Sequence, residues 1–379
     1  MKLRTLQDAP IKKGTRVIVR ADFDVVTGRI EDNFKIRECL ATIRFVLRKG
    51  GRVRIVSHLG RPHGVIVRRL SMKSIAQYLG KLLGRRVFFI SDPLSRKIFQ
   101  RYDSLSDILF FENIRFWPGE EKNNTRFASD LAKWGDLYVN EAFADSHRTH
   151  ASVVALPKQL SSFAGFQTEE ETAFLNRALQ RASKAVVVIG GVKLETKIPV
   201  ITRFLDRGST VFVGGAPANT FFLARGMRVG KSLVEPAFLK KVASLLKNKK
   251  CILPTDLLVG KGKGFPTRVI SAHDHLRPSE MILDVGQETA QHFGPVFKSV
   301  RTIVWNGPVG IAEQYPKGTY ALARAVARAR GLKIVGGGDT IAFLRKYSML
   351  KGFSHVSTGG GAMLEFLAGK KLPGIEVLR

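Results

Sequence analysis

Four glycine-rich turns, each behind a short apolar run, are the residues of this chain best placed to do chemistry: Val211-Phe212-Val213-Gly214-Gly215, Val304-Trp305-Asn306-Gly307-Pro308-Val309-Gly310, Ile334-Val335-Gly336-Gly337-Gly338-Asp339-Thr340 and His355-Val356-Ser357-Thr358-Gly359-Gly360-Gly361. Glycine lets backbone N–H groups approach an anion, and a helix that follows adds the positive end of its dipole. One such turn alone more often only closes a strand. Four of them behind four predicted strands point to a nucleotide. Asp339 and Thr340 add a carboxylate and a hydroxyl, a pair able to hold Mg²⁺ directly or through water. Gly190-Gly191 leads into Lys193 and Lys197, four apart and on one face if this stretch is helical, where both suit phosphate. The Walker A pattern and the protein-kinase signatures are absent.

The first half of the chain offers side chains instead. Arg20-Ala21-Asp22-Phe23-Asp24, Ser57-His58-Leu59-Gly60-Arg61-Pro62, Glu112-Asn113-Ile114-Arg115-Phe116 and His147-Arg148-Thr149-His150 all follow predicted strands. If those strands are parallel neighbours, Arg61, Arg115 and Arg148 converge with His58 and His147 into a basic pocket. Arginine binds carboxylate and phosphate through its two-pronged fork. Each arginine alone is more often a surface or ion-pair residue; their shared place at strand ends carries the reading. His147 and His150 suit packing or an anion contact better than a metal. Phosphates on backbone in one half and an acid on cations in the other suggest phosphoryl transfer between two bound anions.

These positions need two scaffolds. Apolar runs alternate with helical patterns over 36–49, 72–83 and 126–133 in the first half, and the rhythm restarts at Ala185-Val186-Val187-Val188-Ile189. Such alternation predicts parallel sheets covered on both faces. Thr168 with Glu171 reads as a capping box, so 167–182 is expected to be a connecting helix. The 379 residues suit two domains, and 44% of them are hydrophobic, as in a soluble globular protein. The two cysteines, Cys39 and Cys251, support neither a disulfide framework nor a cysteine zinc site, and fit a reducing compartment. No apolar leader stands at the start and no run approaches a membrane span, so a cytoplasmic protein without membrane contact is expected. Lys and Arg total 62 against 31 Asp and Glu, a net charge of +31. The positive residues are dispersed, which favours a general bias with a local cluster. Nucleic acid remains a possible partner, though not the favoured one, because no recognition motif for it appears.

Taken in order, these segments resemble phosphoglycerate kinases almost end to end. The likeness also rests on Pro118-Gly119-Glu120-Glu121-Lys122-Asn123, Val139-Asn140-Glu141-Ala142-Phe143 and Gly230-Lys231-Ser232-Leu233. The resemblance implies an α/β fold of two doubly wound parallel-sheet domains joined by a helix and hinge. It implies residues 1–166 for 3-phosphoglycerate, 167–182 as the connecting helix, 183–362 for the nucleotide and 363–379 as a segment returning to the first domain. It implies Mg²⁺-dependent exchange of a phosphoryl group between ATP/ADP and 3-phosphoglycerate/1,3-bisphosphoglycerate, in a monomer. By motif, Asp22, Phe23, Asp24, Lys35, His58, Leu59, Gly60, Arg61, Arg115, His147 and Arg148 fall at acid-substrate positions. Lys193, Lys197, Gly214, Gly215, Gly286, Asn306, Glu313, Gly337, Gly338, Asp339 and Thr340 fall at nucleotide positions, with Asp339 toward the metal. Lys35, Lys193, Lys197, Gly337 and Gly360 fall at positions that act on the transferring group.

Two departures stand out. Lys35 replaces the family's arginine, keeping the charge and losing the planar fork. Asp24 replaces the usual asparagine and sets a carboxylate beside an acidic substrate, which Lys35 offsets if the two meet. Val26 in place of proline and Pro217 by the base-binding turn are smaller changes. Against the kinase stand two alternatives: a catalytically impaired member of the fold that holds nucleic acid on its positive charge, and a kinase for a related acidic acceptor.

Overall fold

The computed structural model describes residues 3–25, 34–104 and 108–379, and Val26 lies outside them. The chain divides into two compact units, Met1–Thr172 with Lys371–Arg379, and Ala173–Lys370.

In the first unit the strands are β1 (Arg16–Ala21), β2 (Arg52–Val56), β3 (Phe88–Ile90), β4 (Ile108–Phe111), β5 (Leu137–Glu141) and β6 (Ser161–Ala164). They form one sheet in the order β3-β4-β2-β1-β5-β6, and every pairing is parallel. Val19 of β1 lies opposite Ile55 on one side and Val139 on the other. Helices cover both faces, which is why Val17, Ile18 and Val19 are all fully buried. Helix Lys73–Leu83 turns Ile75, Ala76 and Leu79 inward and ends at Gly84, whose φ of 62° closes it in the left-handed region. The helix expected over 36–49 is two pieces, Phe34–Glu38 and Leu40–Arg48. The strand order reverses at β1, between β2 and β5, so loops after β1, β2, β4 and β5 share one end of the sheet.

The second unit contains β7 (Ala185–Ile189), β8 (Thr210–Val213), β9 (Cys251–Ile252), β10 (Asp256–Gly260), β11 (Thr267–Ser271), β12 (Met281–Val285), β13 (Thr302–Asn306), β14 (Leu332–Gly336) and β15 (His355–Ser357). Its main sheet is again parallel, in the order β15-β14-β13-β7-β8-β9. Here β7 is the switch strand, flanked by β13 and β8. Strands β10, β11 and β12 form a separate antiparallel sheet that alternation of apolar runs did not predict. Among the described residues no helix is long and apolar enough to cross a membrane.

The connecting helix spans Phe166–Gln180, and Thr168 does not cap it. Thr168 and Glu171 are fully buried inside the helix. The first N–H groups go elsewhere: Phe166 N–H donates to Thr42 Oγ1 at 3.1 Å and Gln167 N–H to Glu141 Oε1 at 3.3 Å. Tertiary partners have replaced the local cap. The segment Lys371–Arg379 returns to the first unit: Gly374 N–H donates to Ser146 O at 2.9 Å, and Arg4 N–H donates to Leu378 O at 3.1 Å.

Candidate active site

The acid-side residues meet at the β1 switch point. Asp22 and Asp24 leave the end of β1, and Asp22 Oδ2 pairs with Lys35 Nζ at 2.7 Å. Burial works against the Lys35 charge, but Asp22 more than restores it and the ammonium's pKa is raised. Lys35 therefore meets Asp22 rather than Asp24; Asp24 acts on it only as a more distant charge. Asp24 Oδ1 instead accepts from Gly60 N–H at 2.9 Å, and its Oδ2 stands 3.9 Å from His58 Nε2. Arg115 is buried and donates through one terminal nitrogen to Gly60 O at 2.8 Å and through the other to Asp145 Oδ1 at 3.4 Å. Burial lowers its pKa and pushes the buried His58 imidazole down to about 3, so His58 is neutral. Arg61 is exposed beside Gly60, while His147 and Arg148 are half-buried. Phe23 and Leu59 put their side chains into the core, Phe23 stacking on Phe110 with centroids 5.8 Å apart. Phe23 N–H donates to Ser57 Oγ and Leu59 O accepts from Asn113 Nδ2, so both residues support the site from within the core.

Beneath these groups lies a network that the sequence reading did not include. Arg20 is fully buried, with Nε donating to Ser152 Oγ at 2.8 Å and one terminal nitrogen to Asp145 Oδ2 at 3.1 Å. Burial opposes its charge, and Asp145 and Glu120 more than offset that, so its pKa is raised. Burial pushes the Asp145 carboxyl up, but the Arg20 and Arg115 guanidiniums beside it hold it below the usual carboxylate range. Glu120, also buried, accepts from Ser152 N–H at 2.8 Å and Ser152 Oγ at 2.6 Å, with His150 Nδ1 3.8 Å away. The signal was present: an arginine in the apolar run Val17-Ile18-Val19-Arg20 must find a carboxylate if the run is buried. Among the described residues, Asp22, His58 and Asp145 are close enough to share a metal. Lys35 already neutralises Asp22, and two guanidiniums neutralise Asp145, so this cluster is an ion-pair network.

On the nucleotide side two cavities open. One, of 790 Å³, is lined by Gly191, Gly215, Pro308, Glu313, Asp339 and Phe343 among others. Its volume suits a nucleotide-sized ligand. The other, of 480 Å³, gathers Lys197, Asn306, Gly337 and Gly360. Lys197 Nζ donates to Asn306 Oδ1, and burial pulls its pKa down to about 8 against the attraction of Asp339. Helix Gly338–Lys346 opens after Gly337, whose φ is 95°, and a Cβ at Gly338 would meet nothing within 4 Å.

Several glycines do something other than the sequence reading expected. Gly190 N–H donates to Asn306 O, Gly191 N–H to Pro308 O, Gly214 N–H to Ile189 O and Gly215 N–H to Val309 O, at 2.7–2.9 Å. Their N–H groups are committed to other turns, and the glycines serve close backbone packing. A Cβ on Gly215 would lie 2.8 Å from Pro308 O. Gly286 is buried and leaves room for Asp256, whose carboxylate accepts from Glu288 and Thr289 N–H at the next helix start. Thr340 Oγ1 accepts from Gly307 N–H at 2.9 Å and is buried, so its hydroxyl is a brace between turns. Lys193 and Lys197 do not share a helical face, because the helix begins only at Ile198, with Pro199 in its first turn. Lys193 is exposed in the preceding turn and lines neither cavity.

The model of the phosphoglycerate kinase family matches residues 6–370. The chain belongs to the phosphoglycerate kinase family. It is 39% identical over 392 residues to the phosphoglycerate kinase of Borrelia garinii subsp. bavariensis, covering 100% of both chains. With that of Moorella thermoacetica it shares 41% over 387 residues, 99% of this chain and 98% of the relative. The solved structure of phosphoglycerate kinase from Coxiella burnetii superposes with a TM-score of 0.87 at 34% identity, covering 100% of this chain and 99% of that one. The family's two parallel-sheet architecture is thus the one described above.

Proposed function

We propose that the chain catalyses reversible, Mg²⁺-dependent phosphoryl transfer between ATP and the carboxylate of 3-phosphoglycerate, giving ADP and 1,3-bisphosphoglycerate. It acts as a cytoplasmic monomer. One observation carries the reading: a family member has a cation cluster at the switch point of one sheet and glycine-lined cavities at that of the other. Such transfer needs little covalent help from the protein, only in-line positioning, charge stabilisation and exclusion of water.

In this reading Arg61, Arg115, Arg148, His58 and His147 hold the acid's negative groups, and His58 does so as a neutral donor. Lys35, kept cationic by Asp22, meets the charge that develops on the transferring group. Lys197 and the N–H groups at Gly338 and Gly360 hold the nucleotide's phosphates. Glu313 takes the ribose, and the Gly215 turn flanks the base. Asp339 is exposed in a helix's first turn and lines the larger cavity. A single carboxylate of this kind fits Mg²⁺, which takes one or two carboxylates and otherwise phosphate and water oxygens. Bound there, the ion would withdraw charge from the phosphate oxygens.

The test is ATP- and Mg²⁺-dependent turnover of 3-phosphoglycerate by the native chain, Lys35→Arg and Lys35→Ala. Turnover is expected in the native chain, and Lys35→Ala should lower kcat by about 10–100-fold with a smaller change in KM. No turnover by either the folded native chain or Lys35→Arg would overturn the reading.

A further inference from the structure

Two guanidiniums of the acid site converge on one carboxylate, Asp145, and the His58 imidazole lies beside it. Arg20 reaches its Oδ2 at 3.1 Å, His58 Nδ1 lies 3.3 Å from the same oxygen, and Arg115 reaches Oδ1 at 3.4 Å. Arg20 itself cannot touch a ligand. It is fully buried, with its remaining nitrogens donating to Ser152 Oγ and Ala21 O. One of its terminal nitrogens faces His58 Nδ1 at 3.2 Å as well as Asp145. Of the two groups at Nδ1, the Arg20 guanidinium only donates and the Asp145 carboxylate only accepts; pairing Nδ1 with Arg20, which already bridges to Asp145, puts the imidazole proton on Nε2. That Nε2 points to the rim, 3.9 Å from Asp24 Oδ2. Arg115 is held by Gly60 O and Asp145 at its two terminal nitrogens, while its buried Nε has no partner among the described residues.

We propose that Asp145 is a positioning residue for the acid substrate: by anchoring Arg20 it fixes His58 as a neutral Nε2–H donor, and by anchoring Arg115 it holds that guanidinium against Gly60. It rests on the phosphoglycerate reading for the identity of the ligand, but not for the state of the histidine. Of the carboxylates near the proposed anionic substrate, Asp22 and Asp145 are each already matched by a cation. Asp145 contributes no direct contact to the substrate.

The experiment combines ¹⁵N NMR of the imidazoles with steady-state kinetics on the full chain and on Asp145→Asn. The His58 signal is assigned by its loss in His58→Gln. Asparagine keeps the volume but offers one acceptor where two guanidiniums need one each. In the native chain His58 is expected as the Nε2–H tautomer. In Asp145→Asn it should become a tautomer mixture, with KM for 3-phosphoglycerate up about tenfold, kcat within about threefold and KM for ATP unchanged. A purely structural role would lower the melting temperature without this split. An Nδ1–H or doubly protonated His58 in the native chain would overturn the proposal, as would an unchanged KM for 3-phosphoglycerate in the variant. If the native chain turns over no 3-phosphoglycerate, the functional reading falls, and the native tautomer still decides whether Asp145 orders the site through Arg20.

Discussion

Lys197 is a buried ammonium whose partner, Asn306, is neutral, and burial leaves it half-deprotonated near pH 8. The charged form lies below that pH. A phosphate-binding lysine of this kind should therefore lose its grip as the solution becomes alkaline. We expect kcat/KM for ATP, which reports the free enzyme, to fall as pH rises through about 8. Lys197→Arg should keep that profile flat, because arginine stays charged. A wild-type profile that is flat to pH 9.5 would contradict the assignment. Residue types at strand ends pointed to His58, Arg115, Lys197, Asn306 and Asp339, and the structure brings them to the switch-point cluster and the two cavities that form the candidate sites. The roles of Thr340, Gly286 and Lys193 were not readable. A hydroxyl that braces Gly307 looks the same in sequence as one that meets a metal, and a glycine that makes room for Asp256 looks the same as one that makes room for a phosphate. Arg20 and Asp145 were missed for a related reason. They come from different strand ends, and nothing local in the sequence pairs them.

The elements show the same division. Long apolar periodicities gave the parallel strands and the helices over 73–83, 125–132 and 166–180, because burial on both sides of a sheet leaves a dense Val/Ile signal. A short strand such as β3, of three residues, carries too little pattern to stand out. The start of helix Phe166–Gln180 was misread because its cap is tertiary. Glu141 accepts from Gln167 N–H and from Thr42 Oγ1, and burial raises its pKa to about 8 despite these bonds. An unfolded glutamate titrates near 4.5. Between those values the folded chain holds a proton that the unfolded chain has released, so stability falls as pH rises across the window and levels off above about 8. The slope is at most about 1.4 kcal/mol per pH unit. Glu141→Gln keeps an acceptor for both donors without titrating. Its melting temperature should drop less than wild type between pH 5.5 and 8, and an identical drop would contradict this origin. The crossing turns make a separate forecast. A Cβ at Gly190 would lie 2.2 Å from Pro308 O. Gly190→Ala should cost about 1–3 kcal/mol of stability, measured by urea unfolding, because backbone rather than a flexible side chain must move.

At the scale of the whole molecule the net charge of +31 is the dominant property, and both proposed ligands are anions. Such a field raises the encounter rate of small anions and is screened within about 8 Å at physiological salt. We expect KM for 3-phosphoglycerate to rise when potassium chloride is increased from 20 to about 300 mM, with kcat changing little. An unchanged KM would mean that the acid feels only its immediate neighbours, Arg61, Arg115 and Arg148.

The return of Lys371–Arg379 to the first unit has a consequence for how the protein is made. Asn140 Nδ2 donates to Gly374 O at 2.9 Å; Asn140 is near the end of β5 and Ser146 follows that strand, at the end of the sheet where the candidate acid site lies. Chains leave the ribosome from the N-terminus, and domains generally form as they emerge. Residues 173–370 are continuous and can assemble as soon as they appear. The first unit emerges earlier and yet cannot close over Asn140 until residue 374 has been translated. For the whole time that the second unit is being synthesised, the first sheet must wait with one corner open.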